Sequence, residues 1–350
     1  MVKRYLAIAC ILVPMLLCGQ ANKWINYNQY YYKIKVAQDG IYRVDSATLA
    51  KAGIPVGTID ARRLQLFFHG QQQYIYVRGD SVLSQVKGGY IEFYGQHNTG
   101  ALMKDAISDS LLYTAINPAP LNYIPFVPNP YYSMFTDTST YYLTWSTATT
   151  GNLRMTDGPM DTAFSSNSAF PYFTAETAIY GTNKNEYYAG ARYQIAGDEV
   201  NDPRYTPAVG WFMNEIDMGG SASYPLSGVS NIYAAGEAYI KTCFLGESYY
   251  NSASGPDHNI QISASWSGKL LTDTIFGGNP TSSFGVCTKT YGVANAQLGS
   301  SPSLTFTSVN PGNGVPSNIM AVAYVYCQYL HTTNLGGASS YTLYVTCGHR

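Results

Sequence analysis

Residues 30–54 read YYYKIKVAQDGIYRVDSATLAKAGI, and this stretch sets the terms for the chain. Tyr30, Tyr32, Ile34 and Val36 alternate with Tyr31, Lys33 and Lys35, the period-two pattern of a half-buried strand. Asp39-Gly40 supplies a turn, because Gly takes positive φ without a Cβ clash. Ile41, Tyr42 and Val44 return as a second strand, so the pair is expected to form a hairpin. Asp45 or Ser46 then caps a short helix over Thr48–Ala52 by accepting an orphan backbone N–H, and Gly53 ends it. The stretch holds no catalytic group.

Working outward, the composition favours exposed antiparallel sheet. The 350 residues include 33 Tyr and 33 Gly, with only 12% charged. Tyrosine offers apolar area and a polar tip on few rotatable bonds. The aromatic content is too high for a disordered chain.

At the start, Lys3 and Arg4 precede the apolar run Leu6–Leu17, which contains Pro14; Gly19, Gln20 and Ala21 follow. This is the layout of a secretory signal over residues 1–21, with cleavage near Gly19 or Ala21, and the run is too short for a transmembrane helix. Cys18 offers a lipoprotein alternative, against which the bulky Leu17 before it counts. Removing Lys3 and Arg4 from the 20 basic residues leaves 18 against 21 acidic, which attracts neither nucleic acid nor an anionic membrane.

Beyond the opening unit, Leu64–Phe68 and Tyr74–Val77 are apolar runs separated by His69-Gly70 and three Gln, a second expected hairpin. Tyr90–Tyr94 and Tyr141–Trp145 read as strands. Five Pro between residues 117 and 130 mark a connector or an extended edge. Glu176–Arg192 admits a short helix or two strands, and Val209–Ile216 is strand-like. From residue 237 the pattern sharpens into short β-rich runs: 239–244, 259–266, 270–276, 304–309, 319–329 and 341–346. Gly, Pro or Asn separates them, as in an antiparallel sandwich. The expected fold is therefore mainly β: a signal peptide (1–21), a β-rich domain with one short helix (22–155), an irregular β-rich connector (156–235), and a jelly-roll-like antiparallel sandwich (236–350).

Several pieces together resemble the region ahead of the peptidase domain in the gingipain-like family of clan CD cysteine peptidases, with the type IX secretion sortase as the most similar member type. They are residues 31–54, GGYIEFYGQHN at 88–98, FTDTSTYYLTWSTATTGNLRM at 135–155, VGWF at 209–212 and DHNIQISASWSGKLLTDTIFGG at 257–278. The resemblance implies export to the periplasm or cell surface of a Gram-negative bacterium. It implies β-rich domains that support a Cys-His peptidase, with secretion-system or substrate proteins as partners. That family's α/β catalytic domain would follow residue 350, so no catalytic residue carries over to any position here. A stand-alone secreted glycan- or protein-binding module is the alternative.

The residues were also weighed for chemistry of their own. Cys243, Cys287, Cys327 and Cys347 lie beyond the signal, where an oxidising compartment permits disulfides, and four Cys allow three pairings. Cys347 with His349, or Cys243 with His258, would be the Cys-His arrangement of a thiol nucleophile; a core thiol and a loop imidazole is the plainer reading. His69, His97, His258, His331 and His349 show no metal-ligand spacing. Asp198, Glu199 and Asp202 in GDEVNDP carry oxygens of the kind calcium takes, against the plainer reading of a solvated loop. Glu92, Glu215, Asp217, Glu237 and Glu247 are the carboxylates available for glycoside chemistry, with nothing in the sequence to pair them. Trp145, Trp211 and Trp266 suit either a binding face or a sandwich core. PGNG at 311–314 reads as a turn, and no cofactor motif is found.

Overall fold

The computed structural model describes residues 24–79, 81–83, 88–101, 127–155, 171–189, 193–195, 198–200, 208–248, 256–268, 270–276, 286–312 and 314–336. For 193–195 and 198–200 the description is of backbone alone. The chain is mainly β, with antiparallel sheets and one short α-helix among the described residues. It divides into two compact units, Met1–His97 with Thr138–Thr162, and Asn98–Asp137 with Ala163–Arg350.

In the first unit, β1 (Tyr32–Val36) and β2 (Gly40–Asp45) form as their alternation requires, but they do not make the expected hairpin. β1 pairs with β7 (Ser139–Trp145), while β2 pairs with β6 (Tyr90–Gly95) in a different sheet. Asp39-Gly40 is thus a corner between sheets. The Asp39 carboxylate accepts the His97 backbone N–H at 2.7 Å and contacts the His97 ring at 2.7 Å, tying the corner to the chain leaving β6.

α1 (Ser46–Lys51) starts where Asp45 accepts the Thr48 N–H at 2.7 Å. β3 (Leu64–Phe68) turns at His69-Gly70, φ 49° and 77°, directly into β4 (Gln71–Gln73). The three Gln, expected as turn, are the returning strand. β5 (Tyr76–Val77) joins β6 instead. The sheets run β1-β7-β3-β4 and β2-β6-β5. They share one core, in which Val36, Leu66 and Leu143 meet Ile91 and Phe93, and Leu49 of α1 joins them.

In the second unit, β8 (Tyr172–Tyr180) and β9 (Glu186–Ala189) resolve the ambiguous stretch as two strands. The backbone pairs β10 (Tyr193–Ile195) with β11 (Asp198–Val200), and β9 pairs with β12 (Val209–Phe212). There follow β13 (Ser221–Pro225), β14 (Glu237–Gly246), β15 (His258–Ala264), β16 (Leu270–Phe276), β17 (Val286–Ala294), β18 (Ser303–Val309) and β19 (Met320–Thr332).

The sheets are β17-β14-β19-β8 and β13-β18-β15-β16. Numbering β8 and β13–β19 from 1 to 8 in chain order, these become 6-3-8-1 and 2-7-4-5, the interleaving of an eight-stranded jelly roll. Ile240, Phe244 and Val325 of one sheet pack on Ile260, Ile262 and Phe306 of the other. Each such side chain stabilises the fold by about 1.5–3 kcal/mol. The expected strand at 341–346 lies outside the described residues.

Candidate functional site

The chemistry-bearing groups of the second unit gather on the outer face of the β17-β14-β19-β8 sheet and at one end of the sandwich. On the outer face, strand alternation sends Glu237, Tyr239, Lys241 and Cys243 outward from β14, and Tyr324, Tyr326 and Gln328 outward from β19. A strap over residues 127–135 covers part of this face. Asn129, 1% exposed, anchors it by donating to the carbonyls of Gly181 and Trp211 at 2.8 and 3.0 Å. Its Oδ1 accepts the Tyr131 N–H. The Tyr131 ring stacks on Tyr180 at 5.2 Å and meets Tyr324 edge-on at 5.3 Å. Burial pushes the Tyr131 hydroxyl up to about 12. The rest of the face is open: Tyr239 is 47% exposed, and Gln328 donates to Glu176 at 3.1 Å beside it.

Three carboxylates meet where β12 leaves the sheet. Ile216 and Gly246 flank Met320 from its two sides. Glu215 and Glu247, one residue further along, reach each other and share a hydrogen bond. Glu186 of β9 accepts the Glu215 N–H at 3.1 Å. Burial, then the Glu215 hydrogen bond and charge, then the Glu186 charge, push the Glu247 carboxyl up to about 8. Two carboxyls in hydrogen-bond contact share a proton.

At the end of the sandwich, Asp257, His258 and Asn318 are buried together, with Gly246 packed on the imidazole.

The other expected candidates do not converge. Cys243 faces the outer cluster of the sheet, whereas His258 lies on its inner side against Phe276 and Gly246. Burial pushes the Cys243 and Cys327 thiols up to about 12 and Cys287 upward, the direction opposite to an activated nucleophile. These three cysteines are free thiols; Cys347 and His349 lie outside the described residues. Asp198 and Glu199 are placed by backbone only, and Asp202 lies outside the description. Among the described residues no group of three metal-ligating side chains is assembled.

Glu92 pairs with Arg43 at 2.6 Å, and Glu237 accepts from the Tyr239 hydroxyl. His69 stacks on Phe68 and His331 on Phe173. Trp145 stacks on Tyr32, Trp266 packs against the sandwich core, and Trp211 donates to the Met134 carbonyl at 3.2 Å. Sequence reasoning paired neither Glu215 with Glu247 nor His258 with Asn318. Glu186 and Asn318 were not singled out, and nothing in their local sequence marks them.

A jelly roll with its strap, joined in one chain to a smaller two-sheet unit, is the class of protein these observations define. Its fold is PorU-like: it is similar to the crystal structure of dimeric latent PorU from Porphyromonas gingivalis, at a TM-score of 0.50 and 12% identity. The match covers 87% of this chain and 24% of that one, so the chain spans about a quarter of the PorU structure. BuGH86, solved with neoagarooctaose, matches at 12% identity and a TM-score of 0.26, over 89% of this chain and 33% of its own. BpGH86A, a β-porphyranase of glycoside hydrolase family 86 from Bacteroides plebeius, gives 11% and 0.24, over 88% and 36%. Scores this low carry no argument. No family model and no curated protein matches the chain.

Proposed function

We propose that these residues are the non-catalytic, β-rich front region of an exported gingipain-like cysteine peptidase or type IX secretion sortase, supporting a peptidase domain that lies outside them. The observation that carries this reading is the PorU-like fold over 87% of the chain. It agrees with the five sequence pieces that resemble the same family. The charged start and apolar run at residues 3–17 support export across the inner membrane, to the periplasm or cell surface. No helix among the described residues is long and apolar enough to cross a membrane. The partners on this reading are the peptidase domain and the secretion-system or substrate proteins that it meets.

Deleting the coding gene in the producing organism tests this. Cargo bearing type IX sorting domains is expected to accumulate unprocessed at the cell envelope, with rescue by the intact gene. Normal cargo processing in the deletion strain overturns the sortase form of the proposal.

A second reading, a stand-alone glycan- or protein-binding module, is favoured by the open part of the outer face around Tyr239, Lys241 and Gln328. A glycan array in which binding is lost on Tyr239→Ala supports it; an array with no ligand removes its glycan form.

A further inference from the structure

The jelly roll closes at one end on a polar cluster buried among four strands. β15 is entered through Asp257 and His258, 1% and 0% exposed, and β19 through Asn318, 0% exposed. The Asn318 amide donates to the carbonyls of Asn259 and Val309 at 2.8 and 2.7 Å. Those two bonds fix which end of the amide is nitrogen. The remaining atom, Oδ1, lies 2.9 Å from His258 Nδ1. An amide oxygen only accepts, so Nδ1 carries a hydrogen. Ser308 of β18 donates to the Asn318 carbonyl at 2.6 Å, binding a third strand into the cluster. From β14, Gly246 lies so close that a Cβ there would come within 2.2 Å of the imidazole.

The other ring nitrogen, Nε2, faces Asp257 Oδ1 at 3.6 Å, within ion-pair reach, and neither atom has a hydrogen-bond partner. A ring with hydrogen on Nδ1 alone would point its Nε2 lone pair at a carboxylate oxygen in a site closed to water. Opposed acceptors in a dry site are strongly disfavoured. One proton between them removes the conflict.

We propose that His258 carries a second hydrogen, on Nε2, and faces the Asp257 carboxylate as a buried ion pair at the end of the jelly roll where β14, β15, β18 and β19 meet. The groups that pack on the imidazole from other elements are Gly246 of β14, Phe276 of β16 and Asn318 ahead of β19, none titratable. Glu247, beside Gly246, takes its carboxyl to Glu215 on the outer face. Asp257 is therefore the charged group facing His258 among the described residues.

Nitrogen-15 NMR of the histidine rings in the full chain tests this, with His258 assigned by His258→Gln. At about pH 7 both His258 ring nitrogens are expected to give protonated-type resonances. In Asp257→Asn, an amide N–H satisfies Nε2, and Nε2 becomes unprotonated. An unprotonated Nε2 in the wild type at about pH 7 overturns the proposal, as does an unchanged ring in Asp257→Asn. Should that variant not fold, the wild-type spectrum decides alone.

Discussion

Gly246 ends β14 and Glu247 follows it, facing the opposite side of the sheet, and each answers to a different constraint. A Cβ at position 246 would meet the His258 ring at 2.2 Å, and that ring is itself held by Asn318. Gly246→Ala is expected to cost about 1–3 kcal/mol through overpacking, measured by denaturant unfolding. Glu247 has its carboxyl raised from 4.5 to about 8, so between those values the folded chain binds a proton that the unfolded chain does not. Its contribution is complete below about pH 4.5, declines as pH rises towards 8, and is flat beyond. Glu247→Gln should therefore flatten the pH profile of the melting temperature over this window and raise it at the alkaline end. A wild-type profile without that slope would remove the shared-proton account of Glu215 and Glu247. At this scale the sequence was least informative. Glu215 and Glu247 are 32 positions apart and meet only because Ile216 and Gly246 flank the same residue of β19. Cys243 and His258, for which a core thiol and a loop imidazole was the plainer reading, lie on opposite sides of a sheet by strand alternation, and His258 is buried at the start of β15.

Elements were more legible than their partners. The Tyr32–Val36 and Gly40–Asp45 alternation gave two strands and the Asp45 cap gave α1, because those signals are local. Whether Asp39-Gly40 folds a strand back or passes it to another sheet depends on β6 and β7, about 50 and 100 residues away, and no turn residue encodes that. β13 and β17 were not recognised. One is SASYP, with only Ala222 and Tyr224 as apolar positions, and the other is interrupted by Gly292 and carries Lys289, so neither has a strong apolar alternation. The strap at 127–135 was readable only as a proline-rich connector; its anchoring by Asn129 is a tertiary fact. Asn129→Ala removes both donors and leaves the Gly181 and Trp211 carbonyls without this partner, a loss of about 1–3 kcal/mol. Faster proteolysis within 127–135 should accompany it, and unchanged cleavage would show that the tyrosine stack holds the strap without Asn129.

At the scale of the whole molecule, two cores lie in two units, and the second unit interrupts the first between His97 and Thr138. Leu66→Ala and Ile262→Ala, both fully buried in different cores, are each expected to cost about 2–5 kcal/mol. In calorimetry each should lower a different transition, and a single transition shifted equally by both would mean that the units unfold as one.

The jelly roll also imposes a timetable. Among the described residues β8 takes its sheet hydrogen bonds from β19, and Glu176 meets Gln328 across 152 positions. A chain delivered amino end first, from a ribosome or through a narrow channel, keeps its earliest sandwich strand waiting until nearly the last has arrived. So distant a pairing closes slowly. Up to that moment the sandwich stays open, with the edge of β8 bare to any strand that reaches it first.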